Sequence, residues 1–251
     1  MMMIKTEKAT IAFGGLKAVN RVDFQLEEGM LASIIGPNGA GKTTFFNLLS
    51  GHYPPTEGRV FFQGEDVTGL PPYERVMKGM GRTFQITNIF PELTVFDNIM
   101  VAAQRLNVPF EMSGMRKFLF MGKDEKSEDI TNAILEEMDL TGEKYTMAGI
   151  LSHGLKQRLE IGMALTLKPK LLLLDETFAG LSAGETKQQI EFVRGISDKY
   201  TILLVEHKMD VVMTLSQKVS VMHNGEIIAE GTPDEVKADE FVQKVYLREE
   251  I

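Results

Sequence analysis

The chain has 251 residues, enough for one large domain with a sizeable buried core. Its 35 Asp plus Glu outnumber 27 Lys plus Arg, for a net charge of -8; phosphate contacts dominate nucleic-acid affinity and favour a basic surplus, so neither DNA nor RNA is the expected partner. There is no cysteine, which excludes disulfides and thiolate metal sites, and the strongest apolar runs are far short of the ~20 residues that span a bilayer.

In chain order, the opening MMMIKTEK is apolar over too short a stretch for a signal-peptide core. The isolated chain is therefore expected to be soluble, so a membrane role would need another subunit to hold it. From Leu31 to Ile35 a short apolar run ends at a glycine-rich turn. KTTFFNLLS follows, with Phe45, Leu48 and Leu49 at helical spacing and Gly51 where a C-cap belongs. The stretch from about Val95 to Leu167 reads as mostly helical: Ile130, Ala133, Ile134 and Met138 fall on one face, as do Leu155, Leu159 and Met163. The charged, turn-rich segment GKDEKSED lies in this stretch. Leu171–Leu174 and Thr201–Val205 are unbroken apolar runs leading into acids, the pattern of strands buried on both faces of a parallel sheet. Asn224-Gly225, between VSVMH and EIIAEG, signals a hairpin. The expected fold is α/β. Residues 1–251 are expected to form one domain with a mostly parallel sheet and a helical subdomain inserted over about 95–167.

Gly36 to Thr43 read GPNGAGKT, matching G-x-x-x-x-G-K-[ST] between a strand and a helix. Glycines let the backbone curl so that successive N–H groups cradle phosphate oxygens, and the following helix points its positive end at the same anion. Gly36, Pro37, Asn38, Gly39, Ala40, Gly41, Lys42, Thr43 and Thr44 form the expected nucleotide-binding loop. Lys42 would reach the outer phosphates and the Thr43 hydroxyl would ligate Mg²⁺. Downstream, LLLLDE spans Leu171 to Glu176. A buried strand that delivers carboxylates to its end completes a Mg²⁺ site: Asp175 would hold the ion through water, and Glu176 would orient or deprotonate a water beside the γ-phosphate.

Upstream of that strand is LSHGLKQRLEIGMAL, starting at Leu151. Ser152 is a good N-cap there. LSHGL resembles the LSGGQ signature of the ATP-binding cassette (ABC) family, and the remaining family motifs appear in order. The resemblance implies that Ser152 and Gly154 contact the γ-phosphate of ATP held by a second cassette. It implies that Gln85, in RTFQ, senses Mg²⁺ and the membrane partner, and that His207, in ILLVEHKM, contacts the γ-phosphate. Phe13, in AFGG, would stack on adenine. His52, His153 and His223 are read as surface or packing residues. FGGLKAVN, IGPNGAGKTTFFNLLSG, GRTFQ and IIAEGTPDEV resemble the ATPases of branched-chain amino-acid importers and their urea-import relatives.

The resemblance further implies a P-loop NTPase core with an antiparallel β subdomain, ATP and Mg²⁺ as cofactors, and two cassettes, identical or paralogous, sandwiching ATP. It implies a separate membrane permease with a solute-binding protein, and a peripheral position on the cytoplasmic face of the membrane. Four features depart from the family pattern: His153 and Leu155 in the signature, Thr177 after Glu176, and AGLS from Ala179 to Ser182 without its usual aspartate. They leave the phosphate-loop chemistry intact and bear on the half-site offered to the second cassette. The alternatives weighed are a non-transport cassette ATPase and a module that binds ATP without turnover. Against the DNA-repair type, only about 130 residues separate Lys42 from Asp175, too few for a long coiled coil. Glu176 and His207 speak against the inert module. The segment Val108 to Gly122, apolar with basic residues, is a further candidate contact with permease or lipid head groups.

Overall fold

The computed structural model describes residues 1–83, 89–104 and 125–247. The chain divides into two compact units. One comprises Met1–Arg82, Lys170–Ala179 and Lys187–Ile251; the other comprises Thr83–Pro169 and Gly180–Thr186.

The first unit holds two sheets. Strands β1 (Met2–Phe13) and β2 (Leu16–Glu27) pair antiparallel, and β1 also pairs antiparallel with a later strand at Glu57–Phe62. In β2, Val22, Phe24 and Leu26 alternate inward while their neighbours face out, the period-two pattern of a sheet with one wet face. Strand β3 (Leu31–Ile35) is buried throughout and begins the second sheet. With β4 (Glu57–Phe62) and β5 (Glu65–Asp66) the first sheet has the order β2-β1-β4-β5. The second sheet is completed by β6 (Met80–Arg82), β7 (Leu171–Asp175), β8 (Thr201–Val205), β9 (Lys218–His223) and β10 (Glu226–Gly231). Its order is β10-β9-β3-β8-β7-β6, parallel except at β10. The expected strands at Leu31–Ile35, Leu171–Leu174 and Thr201–Val205 are the centre of this sheet. The β9–β10 hairpin turns at Asn224 (φ 48°) and Gly225 (φ 82°), both left-handed, as a tight primed turn requires.

Helix α1 (Lys42–Leu49) lies in the core shared by the two sheets, with Phe45, Phe46, Leu48 and Leu49 buried against residues such as Phe24, Val60 and Leu173. The other face of the parallel sheet packs Ile35, Val219 and Val221 on Val212, Val236 and Val242 from helices Met209–Leu215, Pro233–Ala238 and Glu240–Leu247. Short α2 (Pro72–Met77) contributes Arg75, which is fully buried. Its guanidinium donates to the carbonyls of Leu48 (2.9 Å), Leu49 (2.7 Å), Leu70 (3.1 Å) and Thr68 (3.1 Å). It thus satisfies orphan carbonyls at the C-terminal end of α1, where a cation is favoured. Burial lowers the Arg75 pKa to about 10, leaving it charged at neutral pH.

The second unit is built on α3 (Val95–Gln104), α4 (Glu125–Glu137) and α5 (His153–Leu165), with the first turn of α6 (Ala183–Ser197). The inner face of α4 is Ser127, Thr131, Ile134 and Leu135, continued by Met138, rather than the expected Ile130, Ala133, Ile134 and Met138. Ala133 is exposed and Ile130 only partly covered. Thr131 can be buried because its hydroxyl donates to the Ser127 carbonyl at 2.7 Å, a local bond invisible to a hydrophobic-period reading. Helices α4 and α5 approach closely at Gly162, where an added Cβ would meet Met138 Cγ at 2.9 Å. Residues 91–96 pair with 144–149 through backbone bonds, among them Val95 N–H to Thr146 and Ala148 N–H to Leu93. That pairing leaves Phe90, Tyr145, Met147 and Ile150 exposed, the last at 78%. Among the described residues no helix is long and apolar enough to cross a membrane. The segment Val108 to Gly122 lies outside the described residues.

Arg75→Ala is expected to destabilise the protein by about 3 kcal/mol, since it orphans buried carbonyls and leaves a cavity. Arg75→Lys should recover only part of this, because an ammonium cannot reproduce the planar fork. Denaturant titration of both variants measures the difference.

Candidate active site

The parallel sheet fixes where the chemistry gathers. β3 pairs with β8, and β8 with β7; Ile34 stands opposite Val205, and Val205 opposite Asp175. The segments that leave these strands, at Gly36, Glu206 and Glu176, therefore emerge from one edge of the sheet, where open α/β sheets bind ligands.

At Gly36 the backbone reaches φ 152° and an added Cβ would lie 2.1 Å from the Met222 carbonyl oxygen; at Gly41 (φ 101°) it would lie 2.2 Å from that of Ala18. No side chain can occupy either position, so the loop closes against β9 and β2 only as glycine. Lys42 is buried, and its ammonium donates to the carbonyls of Gly36 (2.5 Å) and Pro37 (2.8 Å). The charge is held inside its own loop. Gly41 is the N-cap of α1 and no side chain caps that terminus. Asn38, Gly39 and Thr43 are exposed. A glycine-rich loop with a buried lysine and an uncapped helix start has the makings of an anion site. Phe13, at the end of β1, is 51% exposed and meets Tyr53 edge to face at 5.6 Å. The pair offers an open ring surface, and Tyr53 is a partner that sequence reading missed.

Asp175, at the end of β7, is buried and accepts from Arg82 at 3.1 Å. Arg82 also donates to Asn47 Oδ1 and Ser50 Oγ, both at 2.7 Å, and lies over the Phe46 ring. One guanidinium thus links the end of β6, helix α1 and the carboxylate. Burial pushes the Asp175 carboxyl up and the Arg82 guanidinium down, and each charge opposes the other's shift. GRTFQ contains Arg82, but nothing in its spacing shows that it meets Asp175.

Glu176 has φ 51°, left-handed backbone that costs a non-glycine residue roughly 1–2 kcal/mol. Its N–H donates to the Val205 carbonyl at 2.9 Å, which ties the turn to β8. The twist presents its carboxylate to His207, whose Nε2 lies 2.7 Å from Glu176 Oε1. Beneath this pair is Glu206, only 2% exposed. Its carboxylate accepts the N–H of Phe178 at 2.8 Å and that of His207 at 3.3 Å. Burial raises the Glu206 pKa to about 7.

In the second unit, Ser152 is exposed and caps α5 by accepting the Leu155 N–H at 3.4 Å. The His153 ring lies against Gly180, where an added Cβ would come within 3.2 Å of Nε2. Glu185 accepts from the Ser182 N–H (3.0 Å) and hydroxyl (2.7 Å). These bonds and the Gly154 N–H hold its carboxyl below the usual range. The signature and the Gly180–Glu185 segment therefore fold as one piece. Gln85 lies outside the described residues.

A glycine-rich loop with a buried lysine and paired acids on one edge of a mostly parallel sheet define a P-loop nucleotide-binding protein. The family described as ABC transporter matches residues 19–179, and that described as branched-chain amino acid ATP-binding cassette transporter matches residues 226–247. The chain is 38% identical over 250 residues to the high-affinity branched-chain amino acid transport ATP-binding protein BraF of Pseudomonas aeruginosa, covering 98% of each. It is 36% identical over 250 residues to a probable branched-chain amino acid transport ATP-binding protein LivG of Archaeoglobus fulgidus, covering 98% of this chain and 96% of the relative. A nucleotide-free ATP-binding cassette from an ABC transporter superposes with TM-score 0.86 at 32% identity, covering 98% of this chain and 99% of the other. The chain belongs to the ABC transporter family, as one of its ATP-hydrolysing subunits.

Arg82→Leu should cost about 3 kcal/mol, because it leaves the Asp175 carboxylate buried without its countercharge. Arg82→Lys should cost less yet remain destabilised, since one ammonium cannot serve Asp175, Asn47 and Ser50 together. Thermal melts of the two variants beside the parent check this.

Proposed function

We propose that this chain powers the import of branched-chain amino acids through a separate membrane permease, with urea or a related small amide as the next solute class. The observation that carries the reading is the convergence of Lys42, Asp175 and the Glu176–His207 pair at one sheet edge. The solute class rests on relatives named for branched-chain amino-acid transport that match the chain over nearly its full length.

In this reading the adenine of ATP lies on Phe13, and the phosphates fill the loop from Gly36 to Thr44. Lys42 leaves the Gly36 and Pro37 carbonyls for the outer phosphate oxygens. The exposed hydroxyl of Thr43 and the carboxylate of Asp175 are hard oxygen donors that fit Mg²⁺, with Gln85 as a third ligand. When bound, the ion neutralises phosphate charge. Glu176 takes a proton from water as the water oxygen bonds to the γ-phosphorus. The bond from that phosphorus to the ADP oxygen breaks, releasing ADP and inorganic phosphate. His207 exchanges its contact with Glu176 for the γ-phosphate oxygens, where developing charge is stabilised.

A second cassette, identical or paralogous, supplies its Ser152 and Gly154 to this nucleotide and receives the same in return. The helical unit is the inserted subdomain. Its exposed Phe90, Tyr145, Met147 and Ile150 form the face that docks on the permease and keeps the chain at the cytoplasmic side of the membrane. A solute-binding protein delivers the cargo to that permease.

Glu176→Gln should bind MgATP with affinity within about twofold of the parent and lose at least about a hundredfold in turnover, because an amide cannot accept the proton. Nucleotide titration and single-turnover hydrolysis separate the two effects, and undiminished turnover would remove Glu176 from the mechanism. Ile150→Glu should leave the fold intact but weaken co-purification with the permease at least about tenfold, by placing a charge in an apolar contact. Unaltered co-purification would reject this face as the docking surface.

A further inference from the structure

We infer that Glu206 is a positioning residue for hydrolysis: its buried carboxylate ties the loop after β7 to the loop after β8 and so sets the contact between Glu176 and His207. The inference rests on the reading of Glu176 and His207 as the pair that meets water and the γ-phosphate.

The geometry gives Glu206 a task that packing alone does not require. At Val205 and Asp175 the ladder between β8 and β7 ends. Beyond it, the N–H groups of Phe178 and His207 have no backbone acceptor among the described residues. Glu206 accepts both, the first at 2.8 Å and the second at 3.3 Å. Phe178 is fully buried, so its N–H would be an orphan without that oxygen. The two bonds use different carboxylate oxygens, Oε1 and Oε2. A single residue thus fixes the backbone two positions after Glu176 and the backbone of His207 itself. The 2.7 Å contact between the Glu176 and His207 side chains spans those two fixed points.

Two acceptors are needed, and only a carboxylate of this length supplies both. A glutamine offers one oxygen and turns an NH₂ toward the other N–H. An aspartate is one methylene short of spanning both loops. The charged groups acting on the Glu206 carboxylate are Glu176 from the loop after β7 and Lys208 from its own loop, beside the backbone donors of Phe178 and His207. Burial and Glu176 raise its pKa to about 7, against the two backbone donors and Lys208. A folded-state pKa above the unfolded value means stability that is fully present below the unfolded pKa, near 4.5, and is lost as pH rises through 7. Charged Glu206 is therefore the form that clamps both loops and also the form that costs stability.

The test uses the full chain. Glu206→Gln should lower kcat for ATP about tenfold, the worth of one lost charge-assisted hydrogen bond, with KM within about twofold. Its melting temperature should rise relative to the parent as pH goes from 5 to 8. Glu206→Asp should lose kcat similarly while keeping the charge. Amide hydrogen exchange at His207 should accelerate in Glu206→Gln, a readout independent of turnover. Unchanged kcat in both variants would overturn the inference, as would unchanged exchange at both His207 and Phe178. A melting temperature at pH 8 that falls in step with kcat would assign Glu206 a purely structural role and reject positioning. A fully active Glu176→Gln would instead overturn the reading of the reacting pair, leaving the exchange result to report on the clamp alone.

Discussion

The side-by-side pairing of β3, β8 and β7 is the constraint from which the site follows. Parallel strands in register end together, and every strand end releases backbone groups that the ladder no longer satisfies. After β3 the chain enters the glycine-rich loop whose Gly36 and Pro37 carbonyls hold the Lys42 ammonium. At β7 the chain turns through a left-handed glutamate whose N–H returns to Val205. At β8 the groups are met by a buried carboxylate. The end of the sheet thus gathers turning backbone and acidic side chains at one edge.

Three of the enclosed ionisable side chains in the first unit have distinct partner sets. Arg75 neutralises helix carbonyls and touches no acid in its hydrogen bonding. Arg82 is shared between one carboxylate and two neutral oxygens. The Glu206 carboxylate accepts from backbone N–H groups alone among the described residues. A charge deprived of water is tolerated when several dipoles replace the lost hydration. The three therefore hold backbone segments in place, which apolar residues of equal volume would not do.

The helical unit follows another logic. Its α4 stripe includes a serine and a threonine, its α5 meets α4 at a glycine, and its signature meets the Gly180–Glu185 segment through the Gly154 N–H at Glu185 and the His153 ring at Gly180. The signature departure at His153 is accommodated within that segment, since the imidazole packs on the backbone of Gly180. That contact gives the larger residue a place without disturbing the cap at Ser152.

The glycine-rich loop after Ile35, the strands at Leu31, Leu171 and Thr201, the helix after Lys42 and the Asn224-Gly225 turn were legible in the sequence. Each depends on local rules: unbroken apolar runs, glycines where φ must be positive, and a lysine at fixed spacing. The acids at 175 and 176 were legible for the same reason, as the first polar residues after a buried strand. The inner face of α4 was not, because Thr131 hides its polarity in a bond to Ser127 that no hydrophobic period registers. Arg75, Arg82 and Glu206 were not either. Arg82 meets Asp175 across 93 residues and Glu206 meets Phe178 across 28. Sequence alone gives a charged residue no sign of whether it will be solvated or enclosed; only the docking of distant strands removes the water and leaves each with the partners that define its role.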